Sequence, residues 1–395
     1  MRIAVLNNFF PPRVGGSAHL SSLLAQKYAD AGHSVLVVTC DYEGAPSVER
    51  IGKVDIERLP AWRLPRLGSL VAFDIRFTFR PKSIRRLFRL LDDFRPDVLH
   101  IHGQFMDLAW LGSHYASRRK IPVLLSVHTR LESPKPAING IFRFIDRTLV
   151  RPLIRRGDPA VVVMDSLMER YVASTYGVSL NKREPIPVGI EIQPAVSHAS
   201  DSEVRARFSL GPGPIILSIG HVIALRDRIA LVKALPAVLQ EFPDAQLVVA
   251  GSVEYPEFLS VAEKLGVIHA VHCLGRVPKA DVVDLFKVAA VEAHDLQGIG
   301  MGTANLEAMA AGVPVVVAVA ADNFPGMTLL DGEEVLLVGP NQHDQIGAHM
   351  CHVLRDPDWA KCVGEAGRRL VAERFSIEAV TDRHLDALKR LVEKR

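Results

Sequence analysis

Cysteine is scarce in this chain of 395 residues. Its four cysteines (Cys40, Cys273, Cys351 and Cys362) are scattered, with no C-x-x-C pair and no metal-ligand spacing. That excludes a disulfide framework and a zinc ribbon, and it points to a reducing compartment. No histidine cluster has zinc spacing either, so no metal and no other cofactor is expected. Long apolar runs are missing as well. Nothing approaches a membrane span, and the opening "MRIAVLNNFF" has too short an apolar run, broken by asparagines, for a secretory signal. The expectation is a cytoplasmic protein. Solenoid repeats and low-complexity tracts are absent. Aromatic residues make up only 6%, with no stacking set beside the basic residues, so no nucleic-acid partner is expected.

What is present is a soluble composition, 48% hydrophobic and 23% charged, in a length that suits two domains. The net charge of +3 hides an asymmetry. Residues 1–190 carry 28 bases against 17 acids, and residues 191–395 carry 19 against 27. A basic half suggests that this half faces something anionic.

Short β-branched runs punctuated by Gly/Pro loops and helical stretches predict an α/β architecture. "RIAVLNN", "SVLVVTC", "DVLHIHG", "PVLLSVH" and "AVVVMD" read as buried parallel strands of a first doubly wound, Rossmann-like domain. After "PIPVGIEIQP" the rhythm restarts with "PIILSIG", "AQLVVAGS", "AVHCLG" and "VPVVVAVA". The restart, the Pro/Gly punctuation at 185–194 and the reversal of charge put a boundary near residue 190. The expected division is 1–187, 188–374 and a terminal helix, 375–395. Two such domains imply a cleft, with ligands at the carboxyl ends of the strands.

Two loops of the second half combine into a candidate site. "HVIALRDR" after "PIILSIG" carries His221, Arg226 and Arg228. "QGIGMGTANLEAMAAG" sets Gly298, Gly300, Met301 and Gly302 before a helix that carries Glu307. Free amides at a helix start suit a diphosphate, arginines clamp the same oxygens, and a helix acid accepts hydrogen bonds from sugar hydroxyls. A dinucleotide-dependent dehydrogenase is disfavoured, because no G-x-G-x-x-G follows the first strand directly.

Those motifs, with "NNFFPPRVGGSAHL", "LEAMAAGVPVVV", "PIPVGIE" and "FSIEAVTDRHLDALKRL", give a chain that resembles the family-four retaining glycosyltransferases of GT-B fold over both halves. The resemblance implies two Rossmann-like domains facing across a cleft and a last helix that crosses back to the first domain. It also implies sugar transfer from a nucleotide-diphosphate donor, UDP- or GDP-linked, with retention and without a metal. Gly15 and Gly16 match the loop beside the donor phosphates, and His128 in "LLSVHTR" matches a histidine near sugar and acceptor. Glu307 matches the second acid of the family's E-x-x-x-x-x-x-x-E motif, which binds the ribose. Base contacts fall on the main chain near Arg276 and Val277. His102 and Arg130 are expected on the acceptor side.

The departures are specific. His221 and Arg226 stand where the family has a basic pair. The first acid of the motif is absent. Ile299 occupies its place without a gap, and Gln297 occupies it when both glycines are kept in register, which is the preferred alignment; Asp295, two residues upstream, is the candidate to supply the missing charge. Gln297, His128 and Arg226 are thus the expected catalytic residues. The other reading is a catalytically weak homologue that binds nucleotide sugar or serves as a partner subunit.

Two basic stretches of the first half, "RFTFRPKSIRRLFRLLDDFR" and "FRFIDRTLVRPLIRR", alternate arginines with apolar residues. Such helices suit an anionic bilayer. The expectation is peripheral contact with the inner face of the cell membrane and a lipid-linked or anionic acceptor.

Overall fold

The structure is a computed structural model describing residues 1–13, 15–64, 74–131, 136–192 and 199–394. Val14 of the first glycine loop and residues 193 and 194 of the expected boundary lie outside the described residues. The chain divides into two units, Met1–Gly189 with Ile377–Arg395, and Ile190–Ser376.

The first unit is built on a sheet of eight strands. Its strands are β1 (Arg2–Asn7), β2 (Ser34–Cys40), β3 (Val48–Ile51), β4 (Val54–Leu59), β7 (Val98–His102), β8 (Val123–Ser126), β9 (Ala160–Val163) and β10 (Arg183–Pro185). A separate two-stranded ribbon pairs β5 (Trp62–Arg63) with β6 (Arg76–Phe77). The sheet order is β10-β9-β8-β7-β1-β2-β4-β3, all parallel except β3. β1 and β7 are neighbours although far apart in sequence, so the order reverses between them. Ligands of open α/β sheets bind at that reversal, and the loops emerging there are Asn8–Gly15 and Gly103–Met106.

The terminal helix Ile377–Glu393 belongs to this first unit. Its Ile377, Val380, Leu385 and Leu388 are buried with Ile3, Val5, Leu24, Tyr28 and Leu124, and ion pairs Lys27–Glu378 (2.6 Å) and Arg390–Glu184 (2.7 Å) flank the seam.

The second unit has a parallel sheet in the order β13-β12-β11-β14-β15-β16. The strands are β11 (Ile215–Ile219), β12 (Gln246–Ala250), β13 (Val271–Gly275), β14 (Ala289–Ala293), β15 (Val315–Val317) and β16 (Leu336–Leu337). Its order reverses between β11 and β14. β14, "AAVEA", is the central strand of this sheet that sequence patterning passed over, as it did the edge strand β16. It carries Glu292, fully buried, in mid-sheet opposite Leu217, and a carboxylate there breaks the apolar run that marks a parallel strand. Among the described residues no helix is long and apolar enough to cross a membrane.

The two basic stretches have different fates. Helix Pro81–Phe94 spends its apolar face on the core, through Leu87 and Leu91 with Ile84 and Phe88 packed alongside. Its Arg86 pairs with Glu57 at 2.7 Å, and Arg76, just upstream, pairs with Asp74 at 3.3 Å. Its alternation is therefore an ordinary core stripe, contrary to the membrane expectation for that stretch. Helix Pro136–Ile145 buries no residue at all. Ile141, Phe144 and Leu149 are more than half exposed, and Arg143 and Arg147 stand exposed among them.

Candidate active site

The reversal in the second unit sets two loops side by side, Gly220–Arg228 after β11 and His294–Gly302 after β14. Ser218 Oγ, at the end of β11, donates to the carbonyl of Ala293 at 2.7 Å and ties the strand ends together. The tight approach of Gly251 to the carbonyl of Gly220 packs the neighbouring β12 loop against the first of these; a Cβ at 251 would collide with that carbonyl.

Arg226 and the glycine loop meet through Asp295. The Arg226 Nε lies 3.3 Å from Asp295 Oδ1, and Asp295 Oδ2 accepts from the amide of Gly302 at 2.8 Å. Asn305 Oδ1 accepts from the same amide at 3.2 Å, which caps helix Thr303–Ala310. Only glycine fits at 302, since a Cβ would land on the Asp295 carboxylate. At Gly298 the positive φ of 76° is the backbone conformation that glycine tolerates.

Beneath this loop lies a buried charged cluster that sequence reading missed. His294 Nδ1 is 2.6 Å from Glu292 Oε1, and its Nε2 is 3.2 Å from Asp295 Oδ2. Asn305 Nδ2 donates to Glu292 Oε2 at 2.9 Å. Burial pushes the His294 imidazole down, but the Glu292 and Asp295 carboxylates outweigh it and raise the ring to about 9. His294 is thus an imidazolium at neutral pH. Asp295 is pushed up by burial, yet His294, Arg226 and the Gly302 amide hold it below the usual carboxylate range. A cation that offsets one of two buried carboxylates leaves the charge of Arg226 available outward. The signal was in the sequence as "VEAHD", a run with two acids and a histidine, but the partners converge only in the fold.

The other expected residues are placed as follows. His221 is exposed, with Nδ1 bonded to Ser252 Oγ. Gly298, Gly300 and Met301 are half-buried along the loop, and Val277 is half-buried just after β13. Glu307 is half-buried, one turn into its helix, and lines a cavity of about 50 Å³ with Glu191, Lys279, Val283 and Phe286. Among the described residues no three His, Cys, Asp or Glu side chains converge as a metal site would require.

In the first unit, Gly15 and Gly16 are exposed at the start of helix Gly16–Asp30. His128 follows β8 and is half-buried; Arg130 is half-buried two residues on. His102 Nδ1 and His128 Nε2 are 2.9 Å apart, with the rings nearly parallel, 5.1 Å between centroids. The His100 ring lies tilted behind His102, 4.1 Å between centroids, and His384 of the terminal helix lies 5.3 Å from His100. Burial pushes all four rings down, His128 and His384 to about 4.

Comparison with known proteins gives the family. Residues 15–189 match the "Glycosyl transferase 4-like domain" model and residues 202–370 the "Glycosyl transferases group 1" model. The two matches together span most of the chain. The chain belongs to the family-four glycosyltransferases of GT-B fold. The alpha-monoglucosyldiacylglycerol synthase of Streptococcus pneumoniae is 26% identical over 98% of the chain and 86% of that protein. The GDP-mannose-dependent alpha-(1-6)-phosphatidylinositol monomannoside mannosyltransferase of Mycobacterium tuberculosis is 25% identical over 98% of each. Two solved structures share the fold. Sucrose-phosphate synthase from Thermosynechococcus elongatus superposes with a TM-score of 0.74 at 20% identity over 100% of both chains. HepE of Anabaena, in complex with UDP, gives 0.70 at 17% over 99% of this chain and 100% of that one.

In this glycosyltransferase five expectations need correction. Gln297, expected to meet the sugar in place of the first acid, instead donates Nε2 to the Asp227 carbonyl at 3.0 Å, while its Oε1 is buried without a partner. Its carboxamide ties the two loops together. Arg228, expected beside Arg226 as a phosphate clamp, is 1% exposed and donates to the carbonyls of Arg226 and Gly220; it shapes the loop, leaving Arg226 as that loop's half-exposed arginine. The Gly302 amide is consumed by Asp295 and Asn305 and is not a free donor. His102 is 1% exposed, so it reaches a ligand only through His128. Asp295 is fully buried and faces Gly302 and His294, which rules it out as an outward substitute for the missing acid.

Proposed function

We propose that this glycosyltransferase moves a sugar from a UDP- or GDP-linked donor to a lipid-linked or anionic acceptor at an anionic membrane surface, with retention and without a metal. The reading rests above all on Arg226. Its half-exposed guanidinium is held by Asp295, which also caps the start of the glycine-loop helix. A diphosphate leaving group needs fixed positive potential where its charge develops, and preorganised donors of that kind dominate many enzymes. Arg226, His221 and the main chain of Gly298, Gly300 and Met301 meet the diphosphate. Glu307 accepts the ribose hydroxyls, and the main chain around Val277 meets the base. The family resemblance assigns Gly15 and Gly16 to the phosphates, and His128 and Arg130 to the sugar and acceptor.

In the transfer, the bond between C1 and the phosphate oxygen breaks and the diphosphate leaves with the electron pair. The acceptor hydroxyl adds to C1 on the same face and gives its proton to the departing phosphate oxygen. No protein base is required in this step.

The acceptor class is supported by relatives whose names specify diacylglycerol and phosphatidylinositol lipids. It is also supported by the exposed Ile141, Phe144 and Leu149 among arginines, an apolar-basic face suited to anionic headgroups. The test is turnover of a panel of UDP- and GDP-sugars with diacylglycerol and phosphatidylinositol in vesicles. One donor is expected to react, and Glu307→Gln to raise the donor KM more than it lowers kcat. Binding to anionic vesicles should weaken with salt and with Phe144→Asp; indifference to both removes the membrane part of the reading.

One observation favours a second reading, a nucleotide-sugar-binding homologue with weak catalysis: the Gln297 amide is committed to Asp227, so no acid stands at the head of the loop. Tight donor binding without turnover on any acceptor of the panel selects that reading.

A further inference from the structure

The geometry points to His102 as a positioning residue that fixes the tautomer of His128, so that His128 presents an N–H donor, at Nδ1, to an oxygen of the bound sugar or acceptor. The substrate named here rests on the glycosyltransferase reading of His128; the position of the proton does not.

A neutral imidazole carries one N–H and one lone pair. His100 has a hydroxyl on each nitrogen, Tyr28 Oη on Nδ1 at 3.1 Å and Ser126 Oγ on Nε2 at 2.9 Å, and both hydroxyls adapt. His384 Nδ1 faces the carbonyl of Val380 at 2.9 Å, and a carbonyl only accepts, so that nitrogen carries the proton and Nε2 is a bare, buried lone pair. His102 has one bonded nitrogen, Nδ1, to His128 Nε2. Its other nitrogen, Nε2, is buried without a partner.

Two placements exist for the His102 proton. On Nε2 it would be a buried N–H with no acceptor, the kind of orphan that folded proteins almost never keep. On Nδ1 it is donated to His128, and only a lone pair goes unmatched, as at His384. The second placement is the cheaper one. His128 Nε2 is then the acceptor, and its own proton sits on Nδ1, the nitrogen left for a ligand. In that state Nδ1 has no lone pair, so His128 donates to a substrate oxygen and does not remove a proton. This agrees with a transfer in which the departing phosphate takes the proton. Burial holds His100, His102, His128 and His384 neutral, and His384 further discourages charge on the other three.

The experiment uses the full chain labelled with 15N-histidine and long-range 15N–1H correlation at neutral pH. His128 signals are identified by their loss in His128→Asn. The expected spectrum shows a protonated Nδ1 and an unprotonated Nε2 on His128. His102→Asn keeps an N–H donor near the Nδ1 position, whereas His102→Leu has none and His102→Asp only accepts. Turnover is expected to fall about tenfold or more in His102→Leu, mostly in kcat, and to recover largely in His102→Asn. His102→Asp should move the proton of His128 to Nε2 and shift the pH profile towards neutrality. A wild-type His128 protonated at Nε2, or a His102→Asp chain with unchanged tautomer, overturns the assignment. If the tautomer is as expected and no donor turns over, the glycosyltransferase role of His128 fails while the proton placement stands.

Discussion

The two units carry buried histidines of opposite character, and this predicts opposite responses to pH. In the second unit His294 titrates near 9 because Glu292 and Asp295 outweigh burial, against 6.5 for an ordinary histidine. A raised value means stability that is fully present below pH 6.5 and lost as pH rises through 9. At 1.36 kcal/mol per pH unit the loss is about 3 kcal/mol. In the first unit burial holds His128 and His384 near 4. The unfolded chain takes up protons below pH 6.5 that the folded unit refuses, so stability is intact above 6.5 and falls between 6.5 and 4. By pH 5 each of these two histidines has removed about 2 kcal/mol. Both losses are large fractions of a typical stability of about 5–15 kcal/mol. The lowered Asp295 adds its own acid loss to the second unit only below its ordinary range near 3.8.

Tryptophans separate the two responses, since Trp62 and Trp110 lie in the first unit and Trp359 in the second. Urea unfolding of Trp359→Phe follows the first unit, and a Trp62→Phe/Trp110→Phe chain follows the second. From pH 7 to 5 the midpoint of the first unit should fall while that of the second holds. From pH 7 to 9 the order should reverse, and His294→Gln should abolish the alkaline loss. A second unit equally stable at pH 7 and 9 would refute the charged state of His294 and, with it, the account of how the buried carboxylates leave Arg226 available outward.

Three substitutions test the remaining geometry. Asp295→Asn removes the link between Arg226, His294 and the Gly302 amide; we expect a loss of about 3–5 kcal/mol in urea unfolding, as for other broken buried ion pairs, together with weaker donor binding by calorimetry. Gln297→Glu restores the acid that the family carries, yet it should lower turnover, because glutamate cannot donate to the Asp227 carbonyl and adds charge beside its carboxylate; a rise in kcat would show that the side chain faces the sugar. Gly112→Ala sets a Cβ against Leu6 and Ile101 under the first sheet and should cost about 1–3 kcal/mol in thermal or urea unfolding.

Local patterning fixed much of this protein in advance. The β-branched runs specify most of the parallel strands, the glycines mark the loops, and "LEAMAAG" carries the family resemblance, because strand period, turn chemistry and helix starts are properties of neighbouring residues. The tertiary structure decided which of those loops adjoin and where their side chains turn. β14 escaped patterning because Glu292 interrupts its apolar run, and that acid is tolerable only once His294 and Asn305 have folded against it. Gln297 looked like a stand-in for a sugar-binding acid, and only its contact with Asp227 shows where its amide goes. The basic helices at 81–94 and 136–145 read alike as sequence. One faces the sheet and hides Leu87 and Leu91, while the other buries nothing. His102, His128 and His384 lie on separate elements, so their mutual desolvation, and the proton placement that follows, exists only after distant segments have packed together.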